Sequence, residues 1–122
     1  MHVEQFLQES EKTLASPLNF KRDDFQLTLL YGATRIAVEG SEILDHIHNS
    51  VFRESDIDKA HLEEELGDLM YAVGIILRSL DFDLETIMDK QIQKNELIFG
   101  DEGYNADLWR SRDKKSESEI FS

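Results

Sequence analysis

The sequence predicts an all-α protein, a bundle of helices around one core. Three observations carry this expectation. With one proline and six glycines in 122 residues, the chain lacks the turn residues that a small β-sandwich or barrel needs. Its apolar residues recur every three or four positions over long stretches, the period of one helix face. A hydrophobic share of 40% suits a folded domain, and the length leaves little room for a second core. The expected organisation is one domain over residues 1–104 and a polar C-terminal tail over 105–122.

The first helix is expected from Val3 to Leu14, with Val3, Phe6, Leu7 and Leu14 at helical intervals and Pro17 closing it. Asp23 or Asp24 caps a long second helix from Phe25 to about Asn49, whose apolar face carries Leu29, Ala33, Ile36, Ile43 and Ile47. Gly32 and Gly40 lower its propensity by up to about 1 kcal/mol each, and their small size suits close helix packing. Residues 50–57 read as a connection. Asp58 is the expected N-cap of the third helix, Lys59 to Leu80, with acidic residues in its first turns where the helix dipole favours them. Its core stripe is Leu62, Leu66, Leu69, Val73, Ile76 and Leu80. Asp81 and Asp83 mark a short turn before a fourth helix, Leu84 to Ile98, with Ile87, Gln91, Lys94 and Ile98 on one face. Gly100 to Tyr104 is a break, after which Asn105 stands ready to cap a short helix in the tail. The polar end of the tail is expected to fray.

Thirteen basic and 26 acidic residues give a formal charge of −13. A phosphate backbone or an anionic membrane surface would be repelled, so neither a nucleic-acid polymer nor a membrane is an expected partner. The absence of cysteine excludes disulfides and thiolate chemistry. No apolar run approaches the roughly 20 residues that span a bilayer, and MHVEQFLQESEK lacks the basic and apolar regions of a secretory signal. A cytoplasmic location is expected. The apolar faces left by so few helices predict burial against further copies, as a homodimer or homotetramer.

An acidic surplus is either a solubilising surface or a set of carboxylates gathered to hold cations. Glu39 and Glu42 lie three apart in IAVEGSEIL, and Glu65 and Asp68 lie three apart in LEEELGDLMYAV. That spacing puts both acids of a pair on one helix face. Acids occupy so many positions that such pairs also arise by chance on solvated faces, but these two border apolar stripes. Glu39 is flanked at helical spacing by Ile36 and Ile43. Glu65 lies one turn from Leu69, on a row through Ala72 and Ile76, and Asp68 lies on the row through Ala72 and Ile75. Uncompensated carboxylates there are costly, and protonation or a bound cation relieves the cost. Two helices with two carboxylates each form an oxygen-only donor set, which suits Mg²⁺ or Mn²⁺ better than zinc. On the residues alone, partly exposed helix edges remain the other reading.

VEGSEILD, followed on the next helix by LEEELGDLMY, resembles the MazG-like all-α nucleoside triphosphate pyrophosphohydrolases, whose pattern is E-x-x-E on one helix and E-x-x-D on the next. The similarity runs from about Leu29 to Lys94, and KNELIFGDEGYNADLWRSRD resembles the segment after the last core helix in some phage and bacterial members. The resemblance implies a helical bundle that dimerises or forms tetramers. It also implies hydrolysis of a nucleoside triphosphate between its α- and β-phosphates, giving the monophosphate and pyrophosphate, in the clearing of non-standard, damaged or surplus nucleotides. Matched by position, Glu39, Glu42, Glu65 and Asp68 are the Mg²⁺ ligands. Glu39, Glu65 or the neighbouring Glu64 takes the proton of the attacking water. Lys94 is the candidate phosphate contact, helped by Lys90 or Arg35, with Gln91 beside it on the same helix. Tyr71 either stacks on the base or belongs to the core.

The chain departs from the family pattern in three places. Val38 stands where the family often doubles the glutamate. His46, His48 and Asn49 follow the first motif where basic residues are usual, and Gln91, Glu96 and Ile98 occupy positions that are often asparagine or basic. A chain of charge −13 binds a tetra-anionic nucleotide only with metal ions between the two. The thin basic complement keeps a second function in view, a non-catalytic nucleotide- or metal-binding bundle. A third follows from Asp45 with His48 and Asp58 with His61, two D-x-x-H pairs of the kind a dinuclear iron carboxylate protein uses, although Asp58 is equally a helix cap. Trp109 reads as a tail anchor or a lid over the base. Arg110, Arg112, Lys114 and Lys115 read as a solvated tail, or as cations that reach phosphates or an acidic neighbouring subunit.

Overall fold

The computed structural model describes residues 2–13 and 23–122. Leu14 and Pro17, expected at the end of the first helix, lie outside the described residues. Among the described residues there are six helices: α1 (Val3–Glu11), α2 (Asp24–Phe52), α3 (Lys59–Ser79), α4 (Leu84–Phe99), α5 (Ala106–Arg110) and α6 (Lys114–Ile120). Among the described residues there is no strand, so the protein is all-α. The chain divides into two compact units, Met1–Ile75 and Ile76–Ser122, with α3 running across the boundary.

In the first unit, α2 starts at its cap. The Asp23 side chain accepts from the Gln26 N–H at 2.7 Å, and Asp24 is the acidic residue of the first turn. The helix runs three residues past Asn49, where the Arg53 N–H still donates to the Asn49 carbonyl at 2.9 Å. Asp58 caps α3 as expected, accepting from the His61 N–H at 3.1 Å. The first turn of α3 carries no acidic residue; the run Glu63, Glu64, Glu65 begins only after it, beyond the best reach of the N-terminal dipole.

The apolar stripes are covered less than the sequence predicts. Leu29, Ile36 and Ile43 of α2 are half-buried while Ala33 and Ile47 are exposed, and on α3 Leu66 is exposed between the half-buried Leu62 and Leu69. Leu44, Val51 and Phe52 are 67%, 64% and 73% exposed. A core-facing stripe on a helix is more than about 100° wide, and a single neighbouring helix covers only part of it. Each large side chain left in water forgoes roughly 1.5–3 kcal/mol of burial. Gly32 is buried, but a Cβ at Gly40 would meet nothing within 4 Å, so close packing does not explain the second glycine. The residues most buried on α2 are Gly32 and Glu39, and on α3 Glu65 and Ala72.

The second unit holds α4, α5 and α6. Asp83 caps α4 with two bonds from Thr86, the N–H at 3.3 Å and Oγ1 at 2.7 Å. These bonds, the hydroxyl's first, hold the Asp83 carboxyl below its usual value. Gly100, at φ 60°, ends the helix in a conformation that side chains rarely adopt. Asn105 Oδ1 accepts from the N–H groups of Asp107 and Leu108 at 2.8 and 3.1 Å, which starts α5 at the predicted cap. The tail then contains a second helix, α6, where fraying was expected. Trp109 anchors α5 to α4, its ring parallel to Phe99 with centroids 6.2 Å apart. Ile98 is the buried apolar residue of α4, at 7% exposure. Among the described residues no helix is long and apolar enough to cross a membrane.

Replacing the α4 cap by Asp83→Ala should lower the melting temperature by about 2–6 °C at neutral pH. The cap stabilises the folded state when ionised, so the difference between the two proteins should be complete above the ordinary aspartate pKa. It should vanish as pH falls through the lowered pKa of Asp83, which thermal denaturation across pH would read.

Candidate active site

Glu39 and Glu65 are only 2% and 6% exposed. Each has a base one turn upstream on its own helix. Arg35 Nη2 pairs with Glu39 Oε1, and His61 Nε2 lies 2.9 Å from Glu65 Oε1. The spacing of four puts each base directly over its acid. In both glutamates the second oxygen, Oε2, is buried without a hydrogen-bond partner. Burial pushes the Glu39 carboxyl above its usual pKa, the neighbouring Glu42 adds to the rise, Arg35 opposes it, and Asp68 of α3 raises it further. Glu39, Glu42 and Asp68 are thus near enough to feel one another across α2 and α3.

A cavity of about 590 Å³ opens beside these acids, lined by Ser41, Glu42, Asp45, His46 and Asn49 of α2 and by His61 and Glu65 of α3. His46 ties its two walls together. Its Nε2 accepts from the Asp58 N–H at 3.1 Å, and its ring lies 5.8 Å from that of His61. His48 instead packs on Phe52, with ring centroids 4.6 Å apart. With Asp58 engaged as a cap, the two D-x-x-H pairs make separate local contacts.

Glu64 is exposed and Tyr71 is 69% exposed. Gln91 and Lys94 belong to the second unit, where Gln91 donates to Asn95 Oδ1 at 3.0 Å and Lys94 Nζ faces Glu117 Oε1 at 3.7 Å. Arg110 pairs with Asp107 at 2.6 Å, and the Arg112 guanidinium lies 3.5 Å above the Trp109 ring. The sequence reading missed His46 and the roles of His61 and Arg35 as partners of the buried glutamates. For Arg35 and His61 the signal was there, since they stand four residues before Glu39 and Glu65; His46 carries no such mark.

Among the described residues no three histidine or carboxylate side chains converge into a ready metal site. The donor chemistry nevertheless fits a hard divalent cation. All four motif acids offer oxygen, and the orphaned Oε2 atoms of Glu39 and Glu65 are buried acceptors waiting for a positive partner.

A model of the MazG nucleotide pyrophosphohydrolase domain matches residues 28–97, more than half of the chain, and the chain belongs to that family. The family consists of all-α nucleotide pyrophosphohydrolases that generally depend on a divalent metal. No curated protein matches the chain, and no solved structure does.

Since Glu39 is buried with one oxygen unpaired, a neutral isostere relieves the fold of an unfavourable charge. In metal-free buffer Glu39→Gln should raise the melting temperature by about 2–5 °C. Added Mg²⁺ should stabilise the wild type more than the variant, and calorimetry with and without EDTA checks both outcomes.

Proposed function

We propose that the chain hydrolyses a nucleoside triphosphate to the monophosphate and pyrophosphate with Mg²⁺, or Mn²⁺, as cofactor, in the upkeep of the cytoplasmic nucleotide pool. The observation that carries this reading is the burial of Glu39 on α2 and Glu65 on α3, each with an unpaired oxygen, within the residues that the family model matches. Glu39, Glu42, Glu65 and Asp68 would hold the ion. When bound, it supplies charge neutralisation for the triphosphate and a lowered pKa for water.

The chain's own groups do the rest. Arg35, by an ion pair, and His61, by the close approach of Nε2 to Oε1, hold Glu39 and Glu65 in place from one turn upstream. Glu39, Glu64 and Glu65 are the candidates to take the proton of the attacking water. Glu39 suits the task because its raised pKa brings it nearer the working pH of a general base. The cavity between α2 and α3 receives the substrate beside the acids. Lys94, Gln91 and Arg35 are the proposed substrate contacts, with Tyr71 as a stacking surface for the base.

The exposed apolar side chains of α2 and α3, Leu44, Val51, Phe52 and Met70 among them, support assembly into a homodimer or homotetramer. A second reading, nucleotide binding without turnover, is favoured by one observation: Lys94 already faces a carboxylate, that of Glu117.

A panel of ribo- and deoxyribonucleoside triphosphates should yield pyrophosphate and monophosphate with Mg²⁺ and nothing with EDTA. Glu65→Gln and Asp68→Asn should each cut turnover by about two orders of magnitude; full Mg²⁺-dependent turnover in both would overturn the metal assignment. Metal-dependent binding by titration calorimetry without product would select the second reading. Sedimentation should give the mass of a dimer or tetramer, and a strict monomer at micromolar concentration would exclude the assembly.

A further inference from the structure

The second unit contains a buried carboxylate of its own. Glu117 of α6 is 5% exposed. Its Oε1 lies 3.7 Å from Lys94 Nζ of α4, and its Oε2 lies 3.6 Å from Arg112 Nε in the turn before α6. Both distances are within ion-pair range and longer than a hydrogen bond. Oε2 of Glu117 and Nη1 of Arg112 are accordingly both buried and both without a hydrogen-bond partner.

Arginine normally meets a carboxylate as a fork, with two parallel bonds below 3 Å. Here the fork is left half empty. A buried ion pair recovers its desolvation cost only with good geometry and further hydrogen bonds, and Glu117 has neither. Beside it lies a cavity of about 360 Å³ lined by Lys94, Arg112, Lys114 and Glu117, with Ser118 and Phe121. Three cations thus surround one anion in a chain whose net charge is −13. Neither of the two cations nearest Glu117 stands within hydrogen-bond distance of its carboxylate. A phosphate group in this cavity offers more acceptor oxygens and a higher charge to both cations.

We propose that Glu117 is an internal stand-in for a phosphate group. It occupies the cationic position of Lys94 and Arg112, and a polyphosphate must displace it and loosen α6 to gain them. Helix α6 is built to leave. It has seven residues, and Glu117 is its one buried side chain. A helix that short does not persist by itself, and the ion pairs at its buried residue are longer than hydrogen bonds, so that contact is readily exchanged for a ligand. The proposal rests on the reading of Lys94 as a phosphate contact and adds the control of that contact by the C-terminal helix.

The test is binding of inorganic pyrophosphate to the full chain in EDTA, where the carboxylate site between α2 and α3 attracts no anion. Trp109, the only tryptophan, lies under Arg112 and reports movement of the guanidinium by its emission. Glu117→Gln should bind pyrophosphate about tenfold more tightly than the wild type, the gain expected when a competing charge is removed. Adding Arg112→Gln or Lys94→Gln to that variant should abolish the gain. Glu117→Ala should behave like Glu117→Gln, and decides the matter if the amide fails to fold. Unchanged or weaker binding in the folded variants, or a gain that survives loss of both cations, would overturn the proposal. Because no metal and no turnover enter the measurement, loss of the hydrolase reading in the Mg²⁺ assay is a separate result.

Discussion

Two glutamates occupy positions where α2 and α3 would otherwise bury leucine, and much of the first unit follows from that constraint. A carboxylate removed from water needs a cation, a proton or a set of donors. Glu39 has Arg35 and a raised pKa, Glu65 has His61, and each keeps one oxygen unsatisfied. At this level each helix sets a base of its own against its glutamate. Burial of these two carboxylates costs stability, and in the proposed function that cost serves cation binding, because attraction for a divalent ion grows as the local dielectric falls.

The second unit meets the same constraint by a different route. Glu117 is as buried as Glu65, yet its cations come from a different helix and from a turn, at distances too long for hydrogen bonds. The glutamates of α2 and α3 are held by bases on their own helices, fixed by the helical repeat. That of α6 is held by contacts that last only while α6 stays docked. Local pairing makes a rigid site, and long-range pairing makes a releasable one.

The sequence shows most of the backbone plan. Helix limits follow from caps whose chemistry is local: Asp23, Asp58, Asp83 and Asn105 each accept from an N–H two or three residues on. The burial of Glu39 and Glu65 was readable from their place beside apolar rows. Coverage of those rows was not, because periodicity says which face is apolar and nothing about how many neighbours cover it; Leu66 and Ile47 are exposed for that reason. His46 stood in the sequence only as a departure from the family pattern, because its partner, the Asp58 N–H, lies twelve residues on and no local spacing marks it. Helix α6 escaped because KKSESEI has almost no apolar face, and its one buried residue is an acid whose partners lie far along the chain.

The bond from the Asp58 N–H to His46 Nε2 has a consequence for how this chain can vary. It closes the connection between α2 and α3 on itself, clamping the start of one helix to a side chain near the end of the other. Residues 53–57 are exposed, so exchange of their side chains costs little. An inserted or deleted residue, by contrast, would carry Asp58 away from the imidazole and move His61 and Glu65 with it. The connection is free in composition and fixed in length, a short measured tether rather than a loose loop.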